Sequence, residues 1–285
     1  MQPLVSRVRG TYYQSMDGEQ AVIRAATWNV WWIFGEQWHA RERGIIATLE
    51  EWRPDVVGLQ EVWAIAGRNQ AETLGSELGM YAAFVEPGLP PTPTPLESDD
   101  QFGVRMGLGL LSRWPITSVE AHPMPSADRG LVALLATIAH PLGPLNVVVG
   151  ATSWEPERMG EHAAQVVTLG EIVSGPAFNG RLPVLLLADL NADFTWPDMA
   201  RLRETLLDTW GEANDYTADP RTYSETNLFA SADATLQYNR RIDHVLARPG
   251  EPEHPLTVVA SRIVRDEVDG LPPSDHYLVV SDLSV

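Results

Sequence analysis

Five places in the chain set a carboxylate, amide or imidazole at the end of an apolar run: Thr27-Trp28-Asn29, Leu59-Gln60-Glu61, Ala188-Asp189-Leu190-Asn191, Arg241-Ile242-Asp243-His244 and Ser274-Asp275-His276. Carboxylates beside such runs are costly to bury unless something offsets their charge. Little cationic material stands next to them in the sequence. A divalent cation held by oxygen donors is the simplest compensation. Any one of these acids alone reads better as a strand cap at the surface. All of them together, in this order, read better as one site.

Composition narrows the chemistry further. The balance of 20 basic against 38 acidic residues leaves a net charge of −18 over 285 residues. All 20 basic residues are Arg, and there is neither Lys nor Cys. Cysteine nucleophiles, thiolate zinc sites, lysine Schiff bases and Walker-type phosphate loops are therefore excluded. A chain this acidic is repelled by polyanions, so duplex nucleic acid is disfavoured as a partner unless local Arg clusters override the mean field. Most of the charge reads as a solubilising surface. The longest apolar runs, such as residues 182–188, are strand-length and far short of a membrane span. The N-terminus lacks the continuous apolar stretch of a secretion signal, so a cytoplasmic location is the expectation. The oligomeric state stays open.

The elements that must position these groups follow from hydrophobic patterning. Residues 1–20 read as a poorly structured lead-in, and 21–285 as one domain. Strands are expected at 21–30, 55–63, 80–86 and 107–113, then repeatedly to residue 154, and again at 182–189, 241–248, 256–264 and 277–284. Helices are expected at 39–52, 68–78, 157–174 and 197–206. The Pro-rich stretch 87–101 reads as a surface loop, and 211–240 as a long polar loop. Strand, helix, proline, apolar strand and acid occur in that order twice, ending at Glu61 and at Asp189. This βαβ logic places each acid at the carboxyl end of a buried strand.

TWNV at 27–30, LQEVW at 59–63, LLSRWPI at 110–116, ADLNA at 188–192, RIDHV at 241–245 and SDHY at 274–277 resemble, in order, the signature of the endonuclease/exonuclease/phosphatase superfamily. Its members include base-excision endonucleases, deoxyribonuclease-I-like nucleases, neutral sphingomyelinases, inositol polyphosphate 5-phosphatases and deadenylases. The resemblance spans residues 21–284 and implies a four-layer α/β sandwich, two mixed sheets packed face to face with helices outside. It implies Glu61 as principal ligand of Mg²⁺ or Mn²⁺, with Asn29 beside it and Asp275 assisting. It implies Asp189 as the group that positions or deprotonates water, and Asn191 as a donor to phosphoryl oxygens. His276 would contact the scissile phosphate, oriented and polarised by Asp243. Phosphoryl transfer to water rests on charge stabilisation and in-line positioning, which these residue types supply.

One departure stands out. Where many relatives carry Thr-His-Leu, this chain has Thr152-Ser153-Trp154. Ser153 cannot be cationic, although it could hydrogen-bond phosphate directly. His162 reads as an exposed helix residue rather than a replacement. For substrate contacts, the expected candidates are Ser153, Trp154, Trp31, His39, Tyr223 and Asn227. Trp28, Trp31, Trp32 and Trp38 cluster near the first strand, and at least two of them read as core. Arg113 reads as a structural ion-pair partner, and Arg240-Arg241 is too small a basic patch for a duplex. The reading is a metal-dependent hydrolase of phosphate esters acting by direct water attack, with a small or single-stranded substrate favoured. A DNA or RNA nuclease is the first rival, a catalytically silent binding protein of the same fold the second, and a membrane-surface phospholipase the third.

Overall fold

The computed structural model describes residues 21–285 apart from positions 36 and 91, so the expected lead-in at 1–20 lies outside the described residues. Apolar alternation becomes strand wherever two faces must be covered. β1 (Val22–Asn29) turns Ile23 and Ala25 toward the opposite sheet and Ala26 and Trp28 toward a helix. α1 (Trp38–Trp52) buries Ile45 and Leu49 on one face and ends where Arg53 takes a left-handed conformation before Pro54. β2 (Val56–Ile65) then runs parallel to β1. β3 (Arg68–Asn69) pairs with β2, and α2 (Gln70–Leu78) starts at Asn69, whose side chain accepts the Glu72 N–H at 2.9 Å. The helix expected from 68 thus begins two residues later, because the β3 pairing claims the first two.

β4 (Tyr81–Val85), β5 (Arg105–Ser112), β6 (Ile116–Pro123), β7 (Val132–His140) and β8 (Gly143–Ala151) follow. α3 (Met159–Ser174) leads into β9 (Val184–Asp189), which is buried throughout and parallel to β8. The short α4 (Ala200–Arg203), β10 (Leu207–Asp208) and α5 (Thr209–Ala213) come next. Only α5 runs into the start of the polar loop expected from 211: buried Thr209 donates to the Val245 carbonyl at 2.7 Å and fixes the helix on the sheet. β11 (Asp243–Arg248), β12 (Thr257–Val264) and β13 (Leu278–Ser284) complete the chain.

The strands form two mixed sheets. One runs β12-β13-β1-β2-β5-β4 with β3 beside β2, and the other β10-β11-β9-β8-β7-β6. Between them lies a core of Val56, Leu108, Leu110 and Val279 from the first sheet against Leu134, Val147, Leu185 and Leu187 from the second. Outside the first sheet α1 and α2 pack through Ile45, Leu49 and Leu74; outside the second, α3 packs through Val166, Leu169 and Val173. This is the expected four-layer α/β sandwich. The sheets approach closely at Gly58, where a Cβ would sit 2.5 Å from the Leu187 side chain. Beside this contact Gln60 donates to the Leu187 carbonyl at 3.2 Å and to the Thr27 hydroxyl at 3.1 Å, linking the sheets. No helix among the described residues is long and apolar enough to cross a membrane.

Candidate active site

Both parallel βαβ units deliver their acids to the same end of the sandwich. Glu61 leaves the regular strand at a bulge, where the β2–β5 register shifts between Leu59 and Val62 and Glu61 itself adopts φ +56°. Asn191, with φ +48°, turns the chain just after Asp189. Trp31 and Trp32, with φ +56° and +34°, bend the segment after β1. Backbone strain of this kind persists only where surrounding contacts impose it.

Asn29 joins the two halves. Its Nδ2 donates to Glu61 Oε1 at 2.8 Å and to Asp189 Oδ2 at 3.0 Å, while its Oδ1 accepts the Trp31 N–H at 2.9 Å. Asp189 also accepts the Asn191 N–H at 2.9 Å, so both its oxygens are engaged. Asp243, opposite Asp189 in the β9–β11 register, holds His276 Nδ1 at 2.9 Å. The far ring atom, His276 Nε2, lies 4.0 Å from Asp275 Oδ1 and 3.5 Å from Asn29 Nδ2. Ser274 fixes this turn by donating to the Asn29 carbonyl at 2.6 Å.

The electrostatics are those of concentrated buried acids. Burial, together with repulsion from Asp275, lifts Glu61 to about 8, against the hydrogen bond from Asn29. Burial and Asp243 raise Asp189 to about 7. Burial raises Asp275 to about 6 despite attraction from His276. Burial opposes charge on His276, but Asp243, Asp275 and Asp189 outweigh it and hold the imidazole well above 6.5. Two buried carboxylate oxygens, Glu61 Oε2 and Asp243 Oδ1, have no hydrogen-bond partner.

These groups fit a hard divalent cation. Asp189, Asp243 and His276 offer one ligand atom each within 4.8 Å of one another. However, His276 Nδ1 is committed to Asp243, and both Asp189 oxygens carry hydrogen bonds. Glu61 keeps an unpartnered oxygen, Oε2, that could accept an oxygen-preferring cation.

A cleft of about 580 Å³ opens over these groups. Glu61, Asp189, Asn191, Asp275 and His276 lie on it, with Trp31, Trp154 and Tyr223 among its walls. Asn29 and Asp243 are fully buried behind them. Tyr223 packs against His276 with ring centroids 5.0 Å apart.

Three expected substrate contacts are not brought to the cleft surface. Ser153 is completely buried: its N–H donates to Gln165 Oε1 at 2.7 Å, and Gln165 Nε2 donates back to its hydroxyl at 3.0 Å, turning the residue into the interior. His39 stacks on Trp38 at 3.5 Å and lines a separate hollow beside Glu42 and Trp63. Asn227 is buried and donates to the Ser274 carbonyl at 2.9 Å, bracing the Ser274–His276 turn instead. His162 is buried rather than exposed, facing the Leu190 carbonyl at 3.1 Å. Trp28 and Trp32 are core, as the sequence suggested for part of that cluster. Arg113 pairs with Asp55 at 2.7 Å, and Arg241 clasps Asp208 through two bonds of 2.5–2.6 Å.

Three participants escaped sequence reading. Arg41, buried on α1, donates to the carbonyls of Val30, Trp31, Trp32, Phe34 and Pro273 at 2.8–3.3 Å, tying the Trp-rich segment to the turn that carries Asp275. Burial draws its pKa down to about 10. Its place on the apolar face of a predicted helix was the available signal. Gln237 donates to the Trp154 carbonyl at 3.0 Å and docks the 231–237 segment on the cleft. Leu89 and Pro90 make the Pro-rich loop part of the cleft wall rather than a plain surface loop.

Residues 26–276 match the model of the Endonuclease/Exonuclease/phosphatase family. The fold is similar to that of humanized D. rerio TDP2 carrying 14 mutations, with TM-score 0.73, 16% identity, 93% of this chain covered and 99% of that chain. An endonuclease/exonuclease/phosphatase from Beutenbergia cavernae is 25% identical with TM-score 0.67, over 94% of this chain and 72% of that one. D. rerio TDP2 in complex with a single strand DNA product is 17% identical, TM-score 0.68, over 93% and 100%. No curated protein matches the chain.

Proposed function

We propose, for a chain that belongs to the Endonuclease/Exonuclease/phosphatase family, that it hydrolyses phosphate esters with a divalent cation, Mg²⁺ or Mn²⁺, by direct attack of water. The single observation that carries this reading is the Asn29 amide, which holds Glu61 and Asp189 together next to the Asp243–His276 couple at one cleft floor. Glu61 and Asp275 would hold the cation, which supplies Lewis-acid polarisation of the phosphoryl group. Asp189, fixed through both oxygens and with proton affinity raised to about 7, accepts the proton of water near neutrality. Asp243 keeps His276 protonated, so that an N–H⁺ faces the charge that develops on phosphate. Asn191 spends one amide hydrogen on the Thr152 carbonyl at 3.0 Å and retains the other for a phosphoryl oxygen.

Hydrolysis of bis(4-nitrophenyl) phosphate and 4-nitrophenyl phosphate with Mg²⁺ or Mn²⁺ tests the proposal. Turnover should vanish in EDTA and in D189A. Full turnover in EDTA refutes it, and inactivity toward both esters favours the silent binding protein. The structure solved with a single strand DNA product favours a second reading, in which this chain is a nuclease acting on single-stranded nucleic acid. Oligonucleotide binding that weakens steeply with salt would support that reading over the small-ester one.

A further inference from the structure

We infer that the cleft selects esters bearing a single phosphate, whose remaining part is apolar and carries no further negative charge. The inference rests on the phosphoesterase reading and concerns the part of the same site that receives the rest of the ester. The one basic side chain among the described lining residues, His276, sits on the floor, held by Asp243 at 2.9 Å. Above it the walls are of two kinds. Trp31 and Trp154 contribute aromatic rings, while Glu97 and Asp233 are exposed acidic residues lining the same space.

One phosphate is served by the floor: the His276 ring, the Asn191 amide, and the cation that Glu61 and Asp275 would hold. A second phosphate would have to lie along the walls. There it would lose water, meet like charge at Glu97 and Asp233, and gain no Arg partner among the described lining residues. An apolar or aromatic group in the same place instead stacks on indole at no electrostatic cost. Repulsion of the wrong ligand is as effective a selector as attraction of the right one.

A matched pair of chromogenic diesters isolates this. Thymidine 5′-(4-nitrophenyl phosphate) and its 3′-phosphorylated form release the same 4-nitrophenolate and differ by one phosphate. With Mn²⁺ present, kcat/KM should fall by about tenfold or more on adding the 3′-phosphate. The ratio between the two substrates should narrow by a similar factor in the double variant E97R/D233R, and partly in E97Q/D233N. Calorimetric binding of both esters to D189N should show the same discrimination in Kd. Equal kcat/KM for the pair, or a ratio that the wall substitutions leave unmoved, overturns the inference while leaving the phosphoesterase reading standing. Turnover of neither ester overturns the phosphoesterase reading, and the inference with it.

Discussion

Replacing Glu61 by Gln should stabilise the cation-free protein while abolishing its turnover. Glu61 is half-buried on the cleft floor, is repelled by Asp275 and Asp189, and leaves its buried Oε2 without a partner. Its folded value of about 8 stands above the ordinary 4.5. For a carboxyl group the sign is then fixed: its stabilising contribution is complete below 4.5 and is lost as pH rises through about 8. The full displacement corresponds to about 5 kcal/mol. Water entering from the open cleft and relaxation of the neighbours reduce what can be realised, and about 2 kcal/mol is a reasonable expectation. For a chain of this size that is a rise of roughly 4–8 °C in Tm. Gln keeps an oxygen for the Asn29 amide, so the geometry survives. Scanning calorimetry in EDTA should therefore show E61Q above wild type at pH 8, with the difference nearly gone at pH 5. Mg²⁺ should raise the Tm of wild type at pH 8 and leave E61Q unmoved. A lower Tm for E61Q at pH 8, or an equal shift at both pH values, refutes the reasoning.

Four further outcomes follow from the same contacts. D243N removes the carboxylate that holds His276 protonated, so the alkaline limb of the pH–rate profile should move to lower pH by about one unit or more; an unmoved limb assigns that ionisation elsewhere. S153A should retain turnover within about twofold, because the hydroxyl faces Gln165 and not the cleft; a loss above tenfold would restore Ser153 as a substrate contact. R41K cannot span the carbonyls that Arg41 gathers, and should raise KM more than it lowers kcat while lowering stability by about 2–3 kcal/mol in urea titrations; unchanged values would show that the two segments hold themselves. G58A must push Leu187 away, and about 1–3 kcal/mol of stability should go with it, read from the same titrations.

The residues that could be read from sequence are those whose local strand pattern already fixes where they point. Asn29, Glu61 and Asp189 each close an apolar run and His276 directly precedes one, and the strands deliver them to one end. The two βαβ units were legible because a buried parallel strand needs a helix to return it, and both helices show apolar faces. Ser153 was misplaced because its orientation is decided by Gln165, twelve positions away on α3, and no local pattern reports a side-chain clamp. His39 follows the first residue of α1 and could have pointed either way; stacking on Trp38 draws it from the cleft. Asn227 sits in a long irregular segment, where the partner of a side-chain amide is set wholly by tertiary contact. Arg41 was hidden by its charge: an Arg on a helix reads as solvent-facing until the carbonyls of a strained loop claim it.

The site draws its groups from both sheets, and that division has a mechanical consequence. Asn29 and Glu61 stand on β1 and β2, with Asp275 and His276 in the turn that leads into β13 of the same sheet, whereas Asp189 and Asp243 stand on β9 and β11 of the other. The hydrogen bonds from Asn29 to Asp189 and from His276 to Asp243 therefore cross the sandwich. Their lengths depend on the spacing of the sheets, which is set just below them by Gly58 against Leu187 and by Gln60 reaching the Leu187 carbonyl. Interiors packed this tightly do not absorb added volume locally. A core substitution that spreads the sheets by a fraction of an ångström would pull Asp189 from the Asn29 amide and Asp243 from His276 at once. Loss of turnover should then precede loss of fold, and the two acids should lose their catalytic alignment together rather than one after the other.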